Sequence, residues 1–60
     1  SPINYLIQKR VEEARHLLEA TNYPVTKIGE ITGFSSQSYF SQTFRKITGV
    51  SPNTYRKERQ

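Results

Sequence analysis

Between Gln37 and Arg45 the chain places Gln37, Ser38, Ser41, Gln42 and Arg45, side chains that carry amide, hydroxyl and guanidinium groups. At 100° per residue, Ser38, Gln42 and Arg45 lie roughly 140° to 200° from Phe40, whereas Phe44 and Ile47 stay within about 40° of it. One face of this helix is core and the other is free. A major groove ~12 Å wide admits one helix, glutamine pairs bidentately with adenine, and serine serves donor or acceptor sites. Gln37, Ser38, Ser41 and Gln42 are therefore the candidates for base readout in double-stranded DNA, and Arg45 reaches guanine or a phosphate. Lys27, Ser35, Ser36, Tyr39, Lys46, Arg56 and Lys57 cluster around helix termini and the basic tail, where they are candidates for phosphate contacts. An exposed helix without such a task favours Glu, Lys and Ala over Ser and Gln.

The charge points the same way. The 60 residues carry a net +4, and residues 1–33 are neutral, with Lys9, Arg10, Arg15 and Lys27 offset by Glu12, Glu13, Glu19 and Glu30. The whole excess falls in residues 34–60, where Arg45, Lys46, Arg56, Lys57 and Arg59 face only Glu58, an asymmetry suited to a polyanion docking on one side. Catalytic chemistry has little to work with. His16 is the single histidine, without a nearby nucleophile or second ligand, and the glutamates lack metal-loop or paired-acid spacing, so no enzyme, metal or cofactor is expected. With no cysteine there is neither disulfide nor thiolate site, which suits a reducing cytosol. No apolar run approaches ~18 residues and the N-terminus lacks signal-peptide regions, so the chain reads as soluble, cytoplasmic and without a membrane partner.

Four elements must position these residues. Ser1 as N-cap and Pro2 at the first helical position open a long amphipathic helix of about five turns. Ile3, Leu6, Ile7, Val11, Ala14, Leu17 and Leu18 form its apolar stripe. It is expected to end near Ala20 to Asn22, where Asn tolerates a left-handed conformation and Pro24 restricts its predecessor. A short helix from about Val25 to Thr32 follows, with Ile28 and Ile31 inward. Gly29 in its interior reads either as a close approach by another helix or as drift. Gly33 breaks that helix, Phe34 plugs the corner, and Ser35 or Ser36 caps the helix from about Gln37 to Thr48, held down by Phe40, Phe44 and Ile47. Gly49 closes it, and Ser51, Pro52 and the anchor Tyr55 build a fourth. Arg10 falls in the apolar stripe, and Glu30 is the partner expected for it.

Together these residues resemble the C-terminal half of the DNA-binding region of the AraC/XylS family of bacterial transcription regulators. The resemblance rests on Arg10-Val11-x-x-Ala14-x-x-Leu17-Leu18, on Ile28-x-x-Ile31-x-Gly33-Phe34-Ser35-x-Gln37-Ser38-Tyr39-Phe40-Ser41-x-x-Phe44-Arg45-Lys46, and on Gly49-x-Ser51-Pro52-x-x-Tyr55-Arg56. Gly29 departs from it, because the family usually has alanine there. The resemblance implies an all-α fold, a small homeodomain-like bundle of about four helices with a helix-turn-helix. Residues 1–22 would be the linker helix following a first helix-turn-helix outside this sequence, and residues 23–60 the second unit. Ser1-Pro2-x-x-Tyr5 echoes Ser51-Pro52-x-x-Tyr55 at a spacing of 50 residues, as though a previous unit ended there. The implied function is sequence-specific DNA binding with the recognition helix at about Gln37–Thr48 in the major groove. The alternative is a protein-interaction module docking on RNA polymerase or a partner domain.

Overall fold

Serine hydroxyls start three of the helices. The computed structural model describes residues 1–59 as α1 (Pro2–Ala20), α2 (Val25–Ile31), α3 (Gln37–Thr48) and α4 (Pro52–Glu58). Ser1 Oγ accepts from the Asn4 amide at 3.3 Å, Ser36 Oγ from Tyr39 at 3.0 Å and Ser51 Oγ from Thr54 at 3.2 Å. Each satisfies an amide that the first turn would otherwise leave unpaired. Pro2 and Pro52 occupy first-turn positions, where a missing N–H costs nothing.

Threonine does the corresponding work at three helix ends. The hydroxyls of Thr21, Thr32 and Thr48 donate to the carbonyls four residues back, at 2.6, 2.7 and 2.8 Å. Thr21 ends α1 in extended backbone, so the left-handed termination expected at Asn22 is absent; the hydroxyl bond does that job instead. Thr32 stands just past α2, which closes at Ile31, one residue earlier than expected. Gly33 (φ 96°) and Gly49 (φ 91°) then turn the chain through the left-handed region.

The architecture is the all-α bundle of four helices that the pattern predicts. Its core joins Val11, Ala14 and Leu18 of α1 to Ile28, Phe34, Phe40, Phe44 and Tyr55. Phe34, Phe40, Phe44 and Tyr55 form a continuous aromatic column with centroid spacings of 5.0, 5.8 and 5.5 Å, distances at which tilted and edge-on rings attract. Every buried side-chain nitrogen and oxygen among the described residues has a partner.

Four apolar residues expected in the core lie outside it. Ile3 (70% exposed) and Leu6 (47%) sit on the N-terminal part of α1. At 1.5 Å per residue α1 runs ~28 Å, whereas the bundle is only about 20 Å across its other axes, so its first turns pass beyond the helices packed on the rest. Ile31 (50%) belongs to a helix of about two turns that buries a single apolar position, Ile28. Ile47 (45%) stays at the rim, because Phe40 and Phe44 already fill the space beneath α3.

Removing a ring from the column is the sharpest test of this core. Phe44→Ala is expected to cost about 3–5 kcal/mol, comparable to the entire stability of so small a domain. Circular dichroism should show the cooperative thermal transition lost; a midpoint within a few degrees of the parent would contradict the column's role.

Candidate nucleic-acid interface

Because Phe40 and Phe44 are fully buried, the opposite side of α3 is turned to solvent. Ser38, Gln42 and Arg45 are exposed along that side, as are Tyr39 and Lys46 on one flank. Gln37 and Ser41 are half-buried on the other flank. Gln42 Nε2 donates to Ser38 Oγ at 3.3 Å. That bond uses one amide hydrogen and leaves the carbonyl oxygen and the second N–H for a base edge, the pair of groups that adenine matches. Arg45 and Lys46 lie in the last turn of α3, where cations complement the helix dipole.

The turn into α3 is built on Phe34. The Phe34 amide donates to the Gly29 carbonyl at 3.1 Å and the Gly33 amide to Glu30 at 3.1 Å, so the backbone reverses within two residues of α2. Phe34 then packs edge-on against Tyr39 at 5.6 Å and brings that exposed ring to the start of the outer side of α3. Of the two serines at this turn Ser36 is the cap, with its hydroxyl engaged by Tyr39 N–H, while Ser35 stays exposed. Lys27 is exposed on α2, 5.9 Å from the Tyr23 ring.

A groove of about 410 Å³ runs beside α3, lined by Asn4, Ile7 and Gln8 of α1 and by Tyr39, Thr43, Lys46 and Ile47. Thr43 was not singled out by its type, although its helical position between Tyr39 and Lys46 places it on this flank. On the opposite flank Thr26, Gly29, Glu30, Phe34, Ser35, Ser36 and Gln37 surround a shallower depression of about 220 Å³. Glu30 is exposed there and makes no ion pair with Arg10, contrary to the expected pairing. The Arg10 side chain instead lies over Gly33, so close that a Cβ on Gly33 would meet its Nε at 3.0 Å. Arg10 is half-buried in that position.

Arg56, a candidate for phosphate contact, has its guanidinium engaged within the fold. Its Nε donates to the Leu18 carbonyl at 3.3 Å and its Nη2 to the Thr21 carbonyl at 3.2 Å, which ties α4 to the C-terminus of α1. Those carbonyls have no partner within the helix, so the guanidinium supplies the hydrogen bonds they lack. Beside it the Tyr55 hydroxyl donates to Glu19 Oε2 at 2.5 Å and accepts from Arg15 Nε at 3.2 Å, while Arg15 Nη1 pairs with Glu12 at 3.1 Å. The hydrogen bond to Tyr55 is the chief influence that raises the Arg15 pKa above its ordinary value, and the Glu12 and Glu19 carboxylates act in the same direction. Arg59 stacks 3.9 Å from the centre of the Tyr55 ring. Lys57 is the exposed tail cation to which no such contact falls.

Residues 1–58 match the model of a helix-turn-helix domain. A probable transcriptional regulator, LumQ, of Photobacterium leiognathi is 40% identical over 55 residues, which cover 92% of this chain and 22% of that protein. The arabinose operon regulatory protein of Escherichia coli is 38% identical over 56 residues, covering 93% of this chain and 19% of that one. Among solved structures, the C-terminal domain of AraT, a response regulator from Geobacillus stearothermophilus, superposes with a TM-score of 0.96 at 45% identity, covering 100% of this chain and 50% of that chain. The chain thus spans about a fifth of the length of these curated relatives.

The structural contribution of Arg56 is open to a direct experiment. Arg56→Ala is expected to lower stability by about 1–3 kcal/mol, because two helix-end carbonyls lose their partner, without changing the salt dependence of DNA binding. Denaturant titration and affinities across a salt series check both halves; unchanged stability with a shallower salt slope would return Arg56 to the phosphates.

Proposed function

The chain belongs to the AraC/XylS family of helix-turn-helix transcription regulators, which bind DNA in a sequence-specific way, and from that membership we propose how it does so. α3 lies in the major groove with its exposed side toward the base edges. Ser38 and Gln42 read bases from the middle of that side, Gln37 and Ser41 read from its flank, and Arg45 reaches guanine or a phosphate one turn later. Lys27, Ser35, Tyr39, Lys46 and Lys57 hold phosphates, and the Ser36 cap supports the N-terminus of α3 where amides point outward. The observation that carries this reading is the division of α3 itself, with Phe40 and Phe44 wholly buried and Ser38, Gln42 and Arg45 exposed opposite them.

In this reading α1 is the linker helix and residues 23–60 form the second of two helix-turn-helix units. The repeated Ser-Pro-x-x-Tyr supports it, because both copies start a helix in the same way, by a serine cap followed by proline. The remaining length of the regulator would receive the controlling signal, and RNA polymerase would be its protein partner. No helix among the described residues is long and apolar enough to cross a membrane.

Selection from random duplexes followed by base-by-base titration tests the assignment. Gln42→Ala is expected to lose about 1–3 kcal/mol of discrimination at one base pair. Lys46→Ala should weaken every duplex alike and reduce the slope of log affinity against log salt by about one. Equal loss on all sequences from Gln42→Ala would contradict the readout role. Salt-insensitive binding to protein with no shift of duplex at low salt would favour the interaction module instead.

A further inference from the structure

At Gly29 the two helices of the helix-turn-helix meet with no side chain between them. A Cβ added there would lie 2.9 Å from Phe40 Cδ2, 3.2 Å from Phe40 Cγ and 3.0 Å from Gln37 Oε1. The ring is fully buried, with Phe34 and Phe44 packed against it at 5.0 and 5.8 Å. The amide belongs to the first residue of α3, and its oxygen reaches the space beside Gly29 that a side chain would fill. Gly29 itself is buried in helical backbone without a positive φ, so its conformation does not require glycine. Glycine is also among the poorest helix formers, which leaves the space it vacates as its contribution.

We infer that Gly29 is a positioning residue for DNA readout: it provides the seat that holds the Gln37 amide at the leading end of α3 and so sets the base preferred at that pair. The inference rests on the proposed reading of bases by Gln37. A glutamine side chain has three rotatable bonds, and bidentate pairing with a base requires its oxygen and nitrogen to be placed together. An amide already resting against α2 gives up less freedom on binding than one swinging in solvent. A methyl group at residue 29 occupies the seat, displaces the amide, and presses on Phe40.

The test compares the chain with its G29A, Q37A and G29A/Q37A variants by selection and titration on duplexes substituted at each base pair. Q37A is expected to lose about tenfold discrimination at a single pair. G29A should lose several-fold at that same pair, and the double variant no more than Q37A alone. Full discrimination in G29A, or uniform weakening on all duplexes, overturns the positioning role while leaving readout by Gln37 intact. Q37A without effect at any pair overturns the readout itself, and the inference with it. If G29A does not fold, nuclear Overhauser contacts between the Gln37 side-chain amide and the Gly29 α-protons in the parent chain decide the matter: they are expected, and their absence overturns the seat.

Discussion

The rings of Phe34, Phe40, Phe44 and Tyr55 pack in one line from the turn before α3 to the last helix, and every other arrangement in the domain is registered against that line. Phe34 fixes the corner, Phe40 and Phe44 hold α3 from below, and Tyr55 carries the column into α4. A chain of 60 residues has little apolar surface to bury, so four aromatic side chains supply a large share of what holds it together. Because the column grips α3 along one side, the opposite side is released for work. The orientation of the exposed side of α3 is thus a by-product of core packing.

Economy of this kind governs the polar residues too. Serine caps α1, α3 and α4, threonine closes the ends of α1, α2 and α3, and Arg56 ties α4 to α1. The Tyr55 hydroxyl joins Glu19 to Arg15 across the same seam. A small domain exposes most of its helix ends, and an unpaired end group weakens it in proportion. Polar groups at the helix ends are therefore drawn into the fold, while Ser38, Gln42, Arg45 and Lys46 on the outer side of α3 remain exposed.

Much of this was legible in residue order. Ser-Pro pairs announced the starts of α1 and α4, Gly33 and Gly49 announced reversals, and the spacing of Phe40 and Phe44 told which side of α3 is buried. Helical periodicity was less dependable for Ile3, Leu6, Ile31 and Ile47, which share the correct angular position yet stay exposed. Angle around an axis says which side a residue occupies. It does not say whether another helix covers that side. Arg10 and Arg56 escaped for a related reason: one lies over a left-handed glycine and the other reaches carbonyls 35 and 38 positions earlier in the chain.

Local chemistry in the sequence determined where the helices begin and end, which residue types lie on the outer side of α3, and the family to which the chain belongs, because caps, turns and periodicity are interactions over a few residues. Tertiary structure alone decided which apolar positions are covered, which arginine ties α4 to the end of α1, and that Gly29 leaves room for Gln37 and Phe40. Those outcomes depend on atoms brought together from distant parts of the chain, and their distances exist only once the helices have packed.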